Sequence, residues 1–334
     1  MANRDIVVIG GSAGGLEAMC QVVAGLPADL PASVLLVLHM PPDARSAAAD
    51  VLSRCGPMTA ATARDGEPIV PGRIYVPVPD RHLLVHDGSI RLSRAPQQNR
   101  SRPAVDALFR SAARWYGPRT VGLVLSGALD DGAAGLATIV QLGGVALVQD
   151  PADAVYAGMP QAALAVTPGA EAAAAWALSA ALIRLVGEPV PAAGEAPDPD
   201  LVTEVEMAIS ERPTVSGSTF PGRPVGIGCP DCGGGMHVLG AAPAIHYLCH
   251  IGHSWSPYTL LAAQHDKVEQ ALWTAVSMLE EQAHVHRHLA ERAAAGAAGR
   301  TVRHQLDAAE EILAAASVIR KHFPELLPEG YHEE

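Results

Sequence analysis

The sequence predicts an α/β protein with a doubly wound, mostly parallel sheet, followed by a small cysteine-containing module and an α-helical hairpin. Three observations lead to this fold class. In residues 1–187, short continuous aliphatic runs alternate with segments of helical spacing, which is typical of parallel strands covered by helices on both faces. Cysteine, histidine and glycine cluster in residues 226–257. Two long amphipathic stretches, near residues 258–294 and 301–323, predict two helices joined by a short turn.

The aliphatic runs are predicted to be buried strands, and the periodic segments between them to be helices. Runs of strand length occupy residues 6–10, 34–39, 120–125 and 144–148. Helical spacing follows two of these runs, over residues 16–26 and 133–142. Shorter strands are predicted between residues 69 and 92, with turns at Pro71-Gly72 and Asp87-Gly88.

Composition limits the class of protein. Of the 334 residues, 49% are hydrophobic and only 4% are aromatic, so the core is predicted to be large and aliphatic. The net charge of −12 argues against nucleic acid or an anionic membrane as the main partner. No apolar run reaches the roughly 18 residues that a membrane span needs. There is also no signal-peptide pattern, so we expect a cytoplasmic protein that does not insert into a membrane.

The chain is predicted to divide into three parts. Residues 1–187 form the first domain, because the alternating strand and helix signals lie there. Residues 188–224 are rich in proline and acidic residues, which predicts a linker with a short helix near residues 201–209. Residues 225–334 contain the cysteine-containing module and the helical hairpin.

A glycine-flanked serine follows the first predicted strand, in Gly10-Gly11-Ser12-Ala13-Gly14-Gly15. Glycine allows a tight turn from strand to helix, and the N–H groups at the start of the helix can hold an oxyanion. The segment fits the G-x-S-x-G pattern of a nucleophilic serine. By itself it fits a phosphate-binding glycine turn equally well, although its spacing differs from the dinucleotide fingerprint.

Two further candidates follow other strands. His39 ends the second aliphatic run, and Asp131 follows the run at residues 120–125. Taken singly, His39 fits a structural histidine and Asp131 fits the N-cap of the next helix. Because sites of open α/β sheets form at the carboxyl ends of the strands, the three positions together favour a Ser12, His39 and Asp131 triad. Their order along the chain differs from that of the α/β-hydrolases.

Several segments resemble the catalytic domain of the CheB-type protein-glutamate methylesterases. They occur in the family's order at residues 6–15, 36–41, 65–66, 71–76, 79–82, 99–106, 130–135 and 158–160. The resemblance covers about residues 4–187. It implies that Ser12 is the nucleophile, His39 the general base and Asp131 the residue that orients the imidazole, with no cofactor for catalysis.

The resemblance also implies a substrate and a cellular role. The implied reaction is hydrolysis of glutamate γ-methyl esters on methyl-accepting chemotaxis receptors, with deamidation of receptor glutamines as a side activity. Many members carry a threonine after the nucleophile, where this sequence has Ala13. Regulated members begin with a receiver domain, whereas the first strand here begins near residue 6, so we expect no control by an attached receiver.

The cysteine-containing module has the spacing of a metal site. Cys229, Cys232, Cys249 and His253 follow a C-x2-C-x16-C-x3-H pattern, which suits a tetrahedral structural zinc ion in a zinc-ribbon-like fold. His250 is the competing fourth ligand, and a reduced cysteine cluster without metal is the alternative. The remaining cysteines, at positions 20 and 55, are each expected to pack as small hydrophobic side chains.

Two other functions compete with the esterase. One is a non-catalytic signalling scaffold that uses the zinc and helical module to bind a partner, and the intact triad argues against it. The other is a nucleotide-binding α/β domain. The chain is acidic, and the module lacks the basic patch that nucleic-acid binding requires. Partner docking or self-association through the C-terminal helices is therefore the expected role of that part.

Overall fold

A parallel sheet forms the centre of the first part of the chain in the computed structural model, which describes residues 2–44, 47–191, 196–210, 220–294 and 299–326. The strands of this part are β1 (Ile6–Gly11), β2 (Ser33–Leu38), β3 (Thr59–Thr62), β4 (Arg73–Val76), β5 (His82–His86), β6 (Ser89–Ser93), β7 (Thr120–Val124), β8 (Val145–Gln149) and β9 (Glu171–Ala173). Seven of them pair in the order β3-β4-β2-β1-β7-β8-β9. Every pairing in this sheet is parallel, which confirms the predicted fold class.

Helices cover both faces of the sheet, as the aliphatic runs predict. They are α1 (Gly15–Ala24), α2 (Ala48–Cys55), α3 (Val105–Tyr116), α4 (Ala133–Gln141), α5 (Gly158–Val166) and α6 (Ala175–Leu185). Successive strand residues point to opposite faces. Val7 and Ile9 pack in the core with α1, α2 and α6, whereas Ile6 and Val8 pack in the core with α3 and α4. Two-sided burial is therefore the reason why β1 is apolar at every position before its glycines.

The strands β5 and β6 form a separate antiparallel hairpin. Its turn is Asp87-Gly88, where both residues have positive φ, 44° and 77°, as a two-residue hairpin turn requires. The hairpin packs on α3, where the Val85 N–H donates to Ser111 Oγ at 3.0 Å. A short 3-10 turn at Gly117–Arg119 then leads into β7.

Part of the predicted linker is a buried helix. The helix α7 (Pro199–Ser210) packs against α3 and β6, with Val205, Ala208 and Ile209 in an apolar cluster. Residues 192–195 and 211–219 of the linker lie outside the described residues. The helix predicted near residues 201–209 is thus present. Its burial was not predicted, and it occurs because three apolar residues at helical spacing outweigh the acidic positions around them.

Glu204 joins α7 to its surroundings through charge. This side chain is 3% exposed, and its carboxylate lies 3.3 Å from Arg110 Nε and 3.0 Å from His246 Nε2. Arg110 Nη1 lies 3.5 Å from Asp106 on the preceding turn of α3. A charged group can be buried here because it is paired on both sides.

The cysteine-containing module is a four-stranded antiparallel sheet. Its strands are β10 (Arg223–Gly228), β11 (Gly235–Leu239), β12 (His246–Cys249) and β13 (Ser254–Trp255), paired in chain order. This sheet belongs to the same compact unit as the parallel sheet, since that unit extends to Leu260. The prediction instead grouped the module with the helical hairpin in residues 225–334. The module is joined to the first domain by hydrogen bonds between residues far apart in the sequence, such as the bond from the Asn99 N–H to the Ser254 carbonyl and the bond between His246 and Glu204. Local sequence patterns do not reveal such partners.

The second compact unit begins at Leu261 and consists of helices, as predicted. The helix α8 spans Pro257–Ala294, and α9 spans Gly299–Leu326. Contacts between Glu280 and Arg320 at 2.8 Å and between His286 and Gln305 at 2.6 Å show that the helices run antiparallel. The turn residues 295–298 lie outside the described part. No helix of the described residues combines the length and the apolar character that a bilayer span needs.

Cys20 and Cys55 are joined, contrary to the prediction that each packs alone. Cys20 lies on α1 and Cys55 ends α2, and the two form a disulfide with Cα atoms 5.3 Å apart. The helices α1 and α2 pack side by side on one face of the sheet. Their adjacency, which depends on the strand order, brings together two cysteines that are 35 positions apart in the sequence.

Candidate active site

Ser12 and His39 follow neighbouring strands at the same edge of the sheet. The strand β1 pairs with β2 in a register that places Gly11 opposite Leu38, so Ser12 and His39 are the next residues on the two chains. The His39 N–H donates to the Gly11 carbonyl at 3.1 Å and continues the ladder by one bond. Because adjacent strands lie about 4.8 Å apart, the register brings these two residues side by side.

The turn after Ser12 is tight and leaves two N–H groups without a protein acceptor. Gly14 has φ 68°, a conformation that glycine adopts without strain, and the Gly15 N–H donates to the Ser12 carbonyl at 2.8 Å. Within the described residues, the N–H groups of Ala13 and Gly14 form no hydrogen bond to the protein. They lie at the N-terminus of α1, where the helix dipole favours negative charge.

Asp131 binds His39 directly. His39 Nε2 and Asp131 Oδ2 are 2.7 Å apart, the histidine side chain is 17% exposed, and the aspartate is 2% exposed. Because an ionised carboxylate only accepts hydrogen bonds, Nε2 carries the proton and Nδ1 remains as the acceptor. The described contacts include no hydrogen bond between Ser12 and His39.

Asp131 does not cap its own helix. The residue before α4 is Gly132, with φ 94° and no side-chain cap. The carboxylate instead accepts the N–H groups of Val105 at 2.7 Å and Asp106 at 3.1 Å, which are the first two residues of α3. Asp131 therefore caps a helix that begins 26 positions earlier, and the capping alternative drawn from the local sequence does not describe this site.

Hydrogen bonds keep Asp131 ionised although it is buried. Burial opposes its charge, but the bond to His39, together with bonds from Asn99 and the Val105 N–H, holds its pKa below the ordinary value. The neighbouring Asp106 shows the reverse, because burial and the charge of Asp131 raise its pKa above the ordinary value. Of these two close carboxyl groups, the one that touches His39 thus keeps the negative charge.

Two polar residues that support the site were not singled out as site residues by the sequence. Ser126, which follows β7, donates from Oγ to the Ala13 carbonyl at 2.8 Å and accepts the Tyr156 N–H at 2.9 Å. Asn99 donates from Nδ2 to Asp131 Oδ1 at 2.8 Å. Asn99 lies in one of the segments that carried the family resemblance, but its contact with a residue 32 positions away depends on the loop paths.

The cysteine cluster is assembled as the spacing predicts. The ligand atoms of Cys229, Cys232, Cys249 and His253 all lie within 4.8 Å of one another, and His250 is not in this group. The Gly233 N–H donates to the Cys229 carbonyl at 2.8 Å, which closes the turn of the C-x-x-C knuckle. Three sulfurs and one imidazole nitrogen this close together form a donor set that fits tetrahedral zinc.

Comparisons with known proteins identify the first domain. The CheB methylesterase family model matches residues 7–181, slightly more than half of the chain. The chain belongs to the CheB methylesterase family. The crystal structure of the CheB methylesterase catalytic domain of Thermotoga maritima, at 32% identity and a TM-score of 0.52, is matched over its whole length by 56% of this chain.

Curated relatives match the same region. The protein-glutamate methylesterase/protein-glutamine glutaminase 1 of Xanthomonas euvesicatoria pv. vesicatoria is 45% identical over 162 residues, which are 47% of this chain and 45% of that protein. The corresponding protein of Photorhabdus laumondii is 39% identical over 168 residues, 49% of this chain and 48% of that protein. The chain thus spans about half the length of these CheB relatives.

Proposed function

We propose that this chain is a serine hydrolase that removes methyl groups from glutamate γ-methyl esters, as a protein-glutamate methylesterase. The observation that carries the proposal is the hydrogen bond of 2.7 Å between His39 and a buried, ionised Asp131, formed beside a serine in the register of the next strand. Membership of the CheB methylesterase family and the names of the curated relatives support the same chemistry.

The first step forms an acyl-enzyme. His39 Nδ1 takes the hydroxyl proton of Ser12 as Oγ attacks the ester carbonyl. The negative charge that develops on the carbonyl oxygen is held by the free N–H groups of Ala13 and Gly14. Asp131 fixes the tautomer of His39 through Nε2 and stabilises the imidazolium that forms. His39 then gives the proton to the departing methoxide, and methanol leaves.

The second step returns the enzyme to its starting state. His39 takes a proton from a water molecule, whose oxygen attacks the acyl carbon. The bond to Ser12 Oγ breaks, His39 returns the proton to that oxygen, and a glutamate side chain is released. With a glutamine side chain the same steps release ammonia in place of methanol, so deamidation is proposed as a side activity.

The proposed substrates are methyl-accepting chemotaxis receptors or similar methylated receptors in the cytoplasm. Support comes from the methylesterase and glutaminase names of the relatives, which share the first domain with this chain. A scaffold without catalysis is the weaker candidate, because a scaffold does not need an ionised carboxylate held against a histidine.

The decisive test is methanol release from a panel of methylated receptors. Ser12→Ala and Asp131→Asn are each expected to lower the rate about 10³-fold or more, because a triad acts as a unit. Ser277→Ala, an exposed serine on α8, serves as the matched control and should keep the wild-type rate. If the wild-type protein releases no more methanol than Ser12→Ala on every receptor, the scaffold replaces the esterase.

We further propose that Cys229, Cys232, Cys249 and His253 hold one structural zinc ion. Four protein ligands leave no open position for a substrate or water, so the ion would stabilise the module and take no part in the reaction. The closeness of all four donor atoms supports this proposal. Elemental analysis should find about one zinc per chain. A folded chain with no bound metal would favour the reduced cysteine cluster instead.

A further inference from the structure

Residues 254–259, which we call the clamp segment, bind Asn99 from the side opposite the catalytic triad. The Ser256 N–H donates to Asn99 Oδ1 at 2.7 Å, and Thr259 Oγ donates to the same oxygen at 3.1 Å. The Asn99 N–H donates to the Ser254 carbonyl at 2.7 Å. The backbone and side chain of Asn99 are thus both held by residues that follow the cysteine cluster in the sequence.

The other end of the Asn99 amide holds two carboxylates. Nδ2 donates to Asp131 Oδ1 at 2.8 Å and to Asp106 Oδ2 at 2.9 Å. Carboxylates accept and a backbone N–H donates, so the amide can face these partners in one orientation only. Asn99 is 4% exposed and has φ 50°, a conformation that asparagine tolerates better than most residues. Its amide therefore has a complete set of partners.

The position of the Asp131 carboxylate depends on this amide. Oδ2 receives the His39 and Val105 donors, whereas Oδ1 receives only Asn99 at 2.8 Å and the Asp106 N–H at 3.1 Å. Loss of the Asn99 donor would leave one weak bond to Oδ1. The carboxylate could then rotate away from the geometry that it needs to meet His39.

A second contact ties the clamp segment to the same loop. Ser256 Oγ donates to Asp130, the residue before Asp131, and the Thr259 N–H donates to Ser256 Oγ at 3.1 Å. Asp130 and Ser256 are both buried. The clamp segment thus contacts the loop of Asp131 directly and also through Asn99.

We propose that Asn99 is a positioning residue for Asp131. We also propose that the cysteine-containing module, through the clamp segment, supports the geometry of the catalytic centre. This inference rests on the proposed function, in which Asp131 orients His39. The module is then not a separate docking domain, because its clamp segment binds Asn99, and Asn99 holds the Asp131 carboxylate in place. The side-chain partners of Asn99 are two carboxylates and the clamp segment, so we expect it to act on the reaction through Asp131.

The cysteine cluster lies next to the clamp segment. Cys249 and His253 flank one turn, in which the Cys249 N–H donates to the His253 carbonyl at 3.0 Å, and Ser254 follows at once. A metal ion held by these two residues would fix the start of the clamp segment. We therefore expect removal of the metal to slow the reaction of Ser12 with reagents that need no receptor.

The test measures the rate at which a fluorophosphonate labels Ser12 in the 334-residue chain, with Ser12→Ala as the blank. Thr259→Val removes one hydroxyl at nearly constant volume and should slow labelling about threefold to tenfold, the effect of one hydrogen bond. Thr259→Ser keeps the hydroxyl and should restore the rate. Thr274→Val, an exposed threonine on the same helix, is the matched control and should label as the wild type does.

Asn99→Gly is the second variant. Glycine adopts the same backbone conformation without strain, but it lacks the side-chain amide that donates to Asp131. The variant should slow labelling about 100-fold. On a receptor ester, it should lower kcat and leave KM unchanged, because Asn99 lies behind Asp131. Chelation that strips the bound metal should slow labelling, and added Zn²⁺ should reverse the loss.

The outcomes separate this inference from the proposed function. If Thr259→Val and Asn99→Gly, folded as judged by circular dichroism, label at the wild-type rate, the clamp is refuted even when the protein hydrolyses methyl esters. If the wild type is labelled readily and the variants slowly, the positioning role of Asn99 and the clamp segment is supported. This holds even when no receptor ester is cleaved, and that result would refute only the assigned substrate.

Discussion

Glu204 offers a quantitative test of whether α7 is an integral part of the fold. Glu204→Gln removes a buried charge that faces Arg110 and His246. Burial opposes this charge, but the interactions with Arg110 and His246 prevail and lower the pKa of Glu204 from 4.5 to about 2. That difference corresponds to about 3 kcal/mol of folding free energy at pH 7, within the range for breaking a buried ion pair.

The pH dependence follows from the lowered pKa. The unfolded chain binds the proton near pH 4.5 and the folded protein only near pH 2. The contribution is therefore complete above the unfolded value and is lost as the pH falls through the folded one. We expect wild type and Glu204→Gln to differ in unfolding free energy by about 3 kcal/mol at pH 7, and by only about 1 kcal/mol at pH 3.

Urea unfolding monitored by tryptophan fluorescence measures this difference, since Trp255 is fully buried in the same compact unit. Glu206→Gln is the matched control on α7: Glu206 pairs with Arg114 at 2.6 Å but is 44% exposed, so its loss should cost less than about 1 kcal/mol. If Glu204→Gln costs no more than this control, or if its cost does not change with pH, the buried network does not hold α7 as described.

Three further predictions concern other parts of the molecule. Burial raises the pKa of Asp130 to about 7, so the protonated form stabilises the fold at low pH and the benefit is lost as the pH rises through 7. Asp130→Asn should therefore gain up to about 4 kcal/mol over wild type between pH 4 and pH 8 in urea unfolding, and a constant difference would contradict this. Reduction of the Cys20–Cys55 disulfide, which spans 35 positions, should lower the unfolding free energy by about 3 to 4 kcal/mol. The Cys20→Ser/Cys55→Ser double variant should not respond to reductant. Cys232→Ser should bring the zinc content measured by elemental analysis close to zero, whereas retained zinc would remove Cys232 from the ligand set.

The elements of the first domain could be predicted because burial on both faces leaves a local signature. Strands such as β1 and β2 are apolar at successive positions, and their ends could be located to within a residue or two. The cysteine cluster was also open to local reasoning, because C-x-x-C and C-x3-H each place a pair of its side chains on a single turn. The helix α7 was predicted near residues 201–209, but its burial was not, since its apolar face is short and lies in a proline-rich, acidic segment.

The partners of the polar side chains could not be predicted in the same way. Asp131 has the local pattern of an N-cap, yet its acceptor capacity is used by α3, Asn99 and His39. Cys20 and Cys55 have the local pattern of isolated residues, yet the packing of α1 on α2 joins them. In each case the partner comes from a distant segment, and its position depends on strand order and loop path.

The sequence by itself determined the class of the fold and the carboxyl-end positions of Ser12, His39 and Asp131, because these follow from hydrophobic periodicity along single elements. Only the tertiary structure decided which nitrogen of His39 meets Asp131, and that Asn99 links this carboxylate to the clamp segment. The physical reason is that hydrogen bonds are short and directional. Partners far apart in the sequence are known only once every intervening segment has been placed to within a fraction of an ångström.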